Sequence, residues 1–173
     1  MAGTTHTYAL SLTWTGNRGT GTSGYRDYDR DVVARADTEG GPPALELSSD
    51  PTFRGDRTRW NPEQLLVAAL SECHLLSFLH VAVMHGVTVV AYEDSPTGTM
   101  VQEGIGGRFT GVVLRPVVTI TDPSQVDLMP RLHHEASQAC FIAASVSFPV
   151  THEPTTLVAG SHLNNGTGEL PTS

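Results

Sequence analysis

The sequence carries two cysteines, Cys73 and Cys140, and they are its first candidates for chemistry. Cys73 lies in the apolar stretch NPEQLLVAALSEC, and Cys140 follows 67 residues later in ASQACFIAASV. Small residues flank both cysteines, so two helices carrying them can approach closely enough for a disulfide, which needs a Cα separation of about 4.4–6.8 Å. Free cysteine is also among the most frequently buried residues. The residues alone therefore leave two interpretations open, core packing and a functional thiol pair.

Histidines near both cysteines suggest a competing interpretation, a metal site. His74 and His80 follow the first cysteine, and His133 and His134 precede the second. The spacings do not support such a site, because the sequence has neither C-x-x-C nor H-E-x-x-H and adjacent helix residues point about 100° apart. We therefore predict no metal ligand, and we interpret the histidines as core or interface residues with a hydrogen-bonded ring.

The charged residues narrow the chemistry further. All ten basic residues are arginines, and the absence of lysine excludes a lysine Schiff base and a phosphate-loop lysine. No G-x-S-x-G elbow marks a serine hydrolase. Glu63 lies at a predicted helix start, where a carboxylate interacts favourably with the helix dipole. A structural cap and a carboxylate that orients an arginine are both open interpretations of Glu63.

The elements that must position these residues follow from local signals. Asn61 is a good N-cap, Pro62 suits the first helical position, Gln64 completes a capping box, and Gly86 predicts the stop. A second helix is predicted over residues 130–144. Strand-like segments precede, separate and follow the two helices, an order typical of an α+β domain whose antiparallel strands wrap around two buried helices.

Composition sets the remaining limits. The 173 residues suit one domain, which we place at residues 1–154, followed by a flexible tail at 155–173. The formal charge of −8 argues against nucleic acid or an anionic membrane surface as a partner. The amino terminus lacks a signal-peptide pattern, which predicts a cytoplasmic, reducing location. Residues 65–90 are long and apolar enough for a membrane span, but they carry Glu72 and three histidines, so a buried central helix is the prediction.

The motifs around both cysteines carry a family likeness. The segment NPEQLLVAALSEC, with a cysteine ten residues after its glutamate, and the second cysteine in ASQACFIAASV resemble the OsmC/Ohr family of thiol-dependent peroxidases. The segments LTWTGNRGTG and SFPVTHEP are also similar to that family. The likeness covers roughly residues 7–154 and points to an OsmC-like branch with an extended GYRDYDRD segment.

The resemblance implies a fold and an activity. The fold is an intertwined α+β homodimer, with antiparallel sheets wrapped around two central helices, and it needs no cofactor. The activity is the reduction of organic hydroperoxides, and more slowly of hydrogen peroxide. Cys73 would be the peroxidatic cysteine and Cys140 the resolving one. An external dithiol of lipoyl type would restore both thiols.

The resemblance also assigns Glu63 as the carboxylate that holds a catalytic arginine. We favour Arg30 for that arginine, because strand alternation would place it on one face with Tyr28. Arg18, Arg26 and the loop arginines at positions 54, 57 and 59 stay open as alternatives.

Two features keep a second function in view. His74 and Phe141, which follow the two cysteines, depart from the family and are predicted to line the pocket. A non-catalytic ligand-binding or redox-sensing dimer of the same fold is therefore the alternative.

Glu63 and Cys73 lie about 15 Å apart along one continuous helix. Either an arginine spans that gap, or the glutamate serves the pocket of a partner subunit.

Overall fold

The computed structural model describes residues 3–160 of the chain. The chain divides between Leu66 and Val67 into two compact units, where the sequence predicts one domain over residues 1–154. The division follows the hydrogen bonding, because the strands before this point pair only with each other and so do the strands after it. In chain order the elements are β1 (Leu10–Trp14), β2 (Val32–Ala36), β3 (Leu45–Leu47), α1 (Pro62–Met84), β4 (Val89–Asp94), β5 (Thr97–Glu103), β6 (Gly106–Leu114), β7 (Pro116–Ile120), α2 (Met129–Ala139), β8 (Val150–His152) and β9 (Thr155–Val158).

The first unit is built on an antiparallel sheet of order β1-β2-β3. The register pairs Leu10 with Ala36 and Trp14 with Val32. A long loop connects these two strands, and an isolated β-bridge between Asn17 and Tyr28 joins its two ends.

Helix α1 begins and ends at the predicted signals. Asn61 Oδ1 accepts the Gln64 backbone N–H at 2.8 Å, and Gln64 Oε1 accepts the Asn61 backbone N–H at 3.2 Å. This reciprocal pair is a capping box. Gly86 follows the last turn with a φ of +69°, a left-handed conformation that glycine adopts without strain.

The second unit contains two three-stranded sheets, of order β4-β7-β9 and β5-β6-β8. The outer strands β8 and β9 run parallel to β6 and β7, and the remaining pairs are antiparallel. The flexible tail predicted from Thr155 is wrong for its first part, because residues 155–158 form β9 and pair with residues 117–120 of β7. The remainder of the predicted tail, residues 161–173, lies outside the described residues.

The core of the second unit forms where one face of α1 meets α2, β7 and the short segment that joins α1 to β4. Its buried members are Phe78, Val81, Ala82, Val87, Val118, Ile120, Met129, Leu132 and Ala136. The buried residues of α1 recur at helical spacing and therefore define a single stripe.

Other parts of α1 are apolar but uncovered, which differs from the predicted helix buried on nearly all sides. Leu76, Val83 and Met84 are 58%, 73% and 70% exposed in the single chain. Among the described helices, α1 is the one long and apolar enough to cross a membrane by length and composition, with 28% of that window buried. The single chain thus leaves a large apolar surface of this helix without a partner.

Candidate active site

The structure brings the two cysteines together within the second unit. Cys73 lies in the middle of α1 and is half-buried, whereas Cys140 is buried and directly follows α2. Both are free thiols, and they lie close enough for Cys73 to affect the ionisation of Cys140. Two cysteines separated by 67 residues thus meet at one point, as a disulfide-forming pair must.

Cys140 lies at the end of α2 rather than inside it, so the predicted extension of this helix to residue 144 is wrong. The helix stops at Ala139, and Cys140 adopts an extended conformation with ψ 106°. Its sulfur accepts the Ala143 backbone N–H at 3.4 Å, and its carbonyl accepts the Ala144 backbone N–H at 3.1 Å. This turn closes around the cysteine and replaces the next helical turn. Phe141, predicted to line the pocket, is 80% exposed in the single chain.

The surroundings of Cys140 keep it protonated. Burial and the hydrogen bond with Cys73 raise the pKa of the Cys140 thiol to about 11, against the opposing effect of the Ala143 N–H. A hydrogen bond that raises the pKa of a thiol favours its protonated form. Cys140 is therefore a thiol at neutral pH.

This arrangement predicts unequal alkylation of the two thiols. Iodoacetamide at pH 7 should modify Cys73 before Cys140, because a thiol with a pKa of about 11 is ionised only to about one part in ten thousand. Peptide mass mapping after a short reaction measures the ratio, with protein unfolded in urea as the control in which both cysteines react. Equal labelling of the folded protein would contradict the geometry.

Three histidines form a stacked cluster in the same unit. His74 from α1, His133 from α2 and His152 from β8 have ring centroids 5.3–6.2 Å apart. His74 Nε2 and His133 Nδ1 are hydrogen-bonded at 3.1 Å, and His133 also stacks on Phe78 at 4.1 Å. Both hydrogen-bonded rings are buried. The core-packing interpretation thus holds for His74 and His133, and the pocket position of His74 stays a prediction.

All three rings are neutral at physiological pH. Burial, together with the charge of His152, lowers the pKa of His74 to about 4 although Asp94 opposes the shift. Burial and the two neighbouring histidines lower the pKa of His133 to about 3. Burial and His134 also lower the pKa of His152. Within residues 3–160 no group of three or more His, Cys, Asp or Glu side chains has a geometry that suits a metal ion.

No sequence motif indicates the third member of this cluster. His152 belongs to the segment SFPVTHEP, which predicts a short strand and no more. Only the parallel pairing of β8 with β6, which sets Leu114 opposite His152, places this ring in the cluster.

Glu63 lies in the first turn of α1, at the end of the first unit. Its Oε2 is buried and has no hydrogen-bond partner among the described residues. A buried carboxylate oxygen without a donor is costly, so this atom marks a place that a cation or donor would fill.

Arg30, also in the first unit, is held by two tyrosines. Its guanidinium lies 4.5 Å from the ring centroid of Tyr25 and 4.1 Å from that of Tyr28. The same group donates to the backbone carbonyls of these tyrosines at 2.9 and 2.7 Å. The predicted strand through this segment is wrong, because Tyr28 makes only an isolated bridge. Tyr28 and Arg30 nevertheless lie against each other, as predicted. Arg30 lines a polar cavity of about 380 Å³.

The alternative arginines differ in how they are paired. Arg18 forms an ion pair with Asp29 at 3.3 Å. Arg59 lies 3.7 Å from each of three carboxylates, those of Asp31, Glu46 and Asp56. Arg54 lines the same cavity as Arg30 and has a φ of +70°, a strained conformation for a residue other than glycine. The arginines at positions 18 and 59 are thus already neutralised within their own unit.

The fold and the site define a class of protein, an α+β chain in which two helical segments hold a pair of thiols in contact. The family model described as OsmC-like protein matches residues 55–155, more than half of the chain. The chain belongs to this OsmC-like family, as the motifs predict.

Solved structures show the same fold. An OsmC-like protein of unknown function from Vibrio cholerae O1 biovar eltor is 29% identical, with a TM-score of 0.77 over 87% of this chain and 99% of its own. An organic hydroperoxide resistance protein from Elizabethkingia anophelis is 17% identical, with a TM-score of 0.64 over 90% of this chain and 98% of its own. An organic hydroperoxide resistance protein from Legionella pneumophila is 18% identical, with a TM-score of 0.64 over 90% of this chain and 100% of its own. No curated protein matches the chain.

Proposed function

We propose that the protein is a thiol-dependent peroxidase that reduces organic hydroperoxides, and more slowly hydrogen peroxide, in the cytoplasm. The observation that carries this proposal is the contact between the half-buried Cys73 and the buried, protonated Cys140. Such a pair suits a reaction in which one sulfur is oxidised and the second resolves it. Membership of a family that includes organic hydroperoxide resistance proteins gives independent support.

The reaction would take three steps. The Cys73 thiolate attacks one peroxide oxygen, the O–O bond breaks, and the alkoxide leaves and takes up a proton to become an alcohol. Cys73 is now a sulfenic acid, and the Cys140 thiol condenses with it to form a disulfide and release water. An external dithiol, of lipoyl type in our proposal, then reduces the disulfide by thiol exchange. No step needs a metal or an organic cofactor.

Arg30 is our candidate for the cation that stabilises the thiolate and the departing alkoxide. A guanidinium about 4 Å from a thiolate contributes on the order of 4 kcal/mol at an effective dielectric near 20. Two of the five N–H donors of Arg30 are committed to the Tyr25 and Tyr28 carbonyls, which leaves three for a peroxide. The tyrosine rings fix the guanidinium plane, so these donors are preorganised.

We further propose that the active unit is a homodimer. The exposed apolar residues of α1 and the β1 strand, whose Leu10 and Leu12 are 66% and 65% exposed, need a cover that a second copy would supply. In such a dimer, α1 would be a core helix rather than a membrane span. The unpartnered Oε2 of Glu63 supports pockets shared between subunits, because its donor would then come from the partner.

Subunit mixing tests the shared pocket. Cys73→Ser and Glu63→Ala homodimers should each be inactive, whereas their heterodimer combines Cys73 of one chain with Glu63 of the other. One pocket of each heterodimer is then intact, so random mixing should restore about a quarter of the wild-type activity under twofold symmetry. Activity after refolding the two variants together measures this, and refolding each variant alone is the control. No recovery would show that the pocket is built within one chain.

The peroxidase activity itself is tested by stopped-flow mixing with cumene hydroperoxide. Reduced wild-type protein should consume one equivalent per chain without added reductant and form the Cys73–Cys140 disulfide. Oxidation at the rate of an ordinary free thiol would refute the proposal and favour the non-catalytic ligand-binding or redox-sensing alternative.

A further inference from the structure

The histidine cluster connects the same two segments that carry the sulfurs. His74 follows Cys73 directly on α1, and His133 precedes Cys140 by seven residues on α2. Seven residues make nearly two helical turns, so His133 and Cys140 lie on the same side of α2 and about 10 Å apart along it. The two segments therefore touch at two points, one through the sulfurs and one through the rings.

The ring contact is more directional than ordinary core packing. The hydrogen bond between His74 Nε2 and His133 Nδ1 is 3.1 Å long, and it joins rings that are 2% and 0% exposed. His133 Nε2 has no hydrogen-bond partner among the described residues, so this bond is the polar contact that orients the ring. A buried hydrogen bond in a low-dielectric core loses strength steeply when its geometry changes. It therefore resists rotation or sliding of α2 against α1, which an apolar contact would tolerate.

Both rings also stay neutral, which keeps the bond intact. The pKa of each ring lies far below neutral pH, so neither ring carries a charge that would repel the other or His152. The cluster is thus a fixed contact under physiological conditions.

We propose that His74 and His133 are positioning residues for the sulfur pair: their ring-to-ring hydrogen bond fixes α2 against α1 and thereby holds Cys140 within reach of Cys73. The consequence, efficient disulfide closure, rests on the proposed function. The placement of the two sulfurs is independent of the proposed function.

The redox equilibrium of the Cys73–Cys140 disulfide with dithiothreitol at pH 7 tests this proposal without any peroxide. His133→Phe keeps a stacked ring but removes the hydrogen bond, so the effective concentration of the two thiols should fall about tenfold. A tenfold change in this equilibrium is a rise of about 30 mV in the reduction potential. His133→Asn, whose amide occupies the place of Nδ1, should return the equilibrium to within about twofold of the wild type.

Two matched controls separate positioning from general destabilisation. Val81→Ala weakens the same buried core without touching the ring bond, and His80→Gln changes an exposed histidine of α1. Neither should move the potential. A folded His133→Phe protein with the wild-type potential, or an equal shift in Val81→Ala, would overturn the proposal.

If His133→Phe does not fold, His74→Phe removes the same bond from the other side and gives the same comparison. Unfolding of both variants while Val81→Ala folds would assign the bond to the fold itself and also overturn the proposal. A shifted potential in a protein that does not reduce cumene hydroperoxide would uphold the positioning role and reject only the peroxidase function.

Discussion

A Cys73→Ser variant should reduce cumene hydroperoxide on the order of a thousandfold or more slowly than the wild type, whereas Cys140→Ser should keep the first turnover. The reason is that a serine hydroxyl does not ionise near neutral pH, so the variant has no nucleophile for the peroxide oxygen. Cys140 is buried and protonated in the reduced protein, so its loss affects only the resolving step.

Stopped-flow traces of peroxide consumption by the two reduced variants measure this contrast. Cys140→Ser should consume one equivalent and then stop, with Cys73 present as a sulfenic acid that dimedone traps and mass spectrometry detects. The double variant with serine at both positions is the matched control and should be inert. Fast consumption by Cys73→Ser, or an equal loss of the first turnover in both single variants, would contradict the assignment of the two sulfurs.

Lowering the pH from 7 to 5 should decrease the free energy of unfolding by about 2 kcal/mol for each of His74 and His133. In the unfolded chain both rings take up protons near pH 6.5, but in the folded chain they do so only near pH 4 and pH 3. The unfolded state therefore binds more protons in this range. The stabilisation is fully present above pH 6.5 and is lost as the pH falls towards the folded-state values.

Three carboxylates with lowered pKa values do not mask this effect in the chosen window. Asp50, Asp56 and Asp122 have pKa values lowered by hydrogen bonds from their own turns, from an ordinary value of 3.8, so they destabilise the fold only below about pH 4 to 5. Among the groups near the cluster, Asp94 favours the charged form of His74, and His134 disfavours that of His152.

Urea unfolding at one fixed protein concentration and at pH 7, 6 and 5 measures the effect. The His74→Phe/His133→Phe double variant should lose most of the pH dependence, and His80→Gln should keep it. A free energy of unfolding that stays level from pH 7 to pH 5 in the wild type would show that the rings are protonated without penalty.

The sequence predicts the local features of the fold well. The start of α1 at Asn61, its capping box with Gln64 and its end at Gly86 all follow from side-chain and backbone preferences within a few residues. Helix α2 ends at Ala139, before the predicted residue 144, and the Cys140 sulfur accepts the Ala143 N–H in the turn that follows, a bond that no propensity scale contains. Strand β9 was not predicted, because its pairing with β7 joins residues 38 positions apart.

The sequence alone determined three features: the two cysteines, the capped helix that carries the first of them, and the motif that places the chain in the OsmC-like family. Each of these lies within one short segment. Only the tertiary structure decided that Cys140 lies against Cys73 and that His74, His133 and His152 stack in one cluster. Only it decided that Glu63 keeps a buried oxygen without a donor. These features depend on contacts between distant segments and on burial. Neither is encoded in the periodicity or spacing of nearby residues.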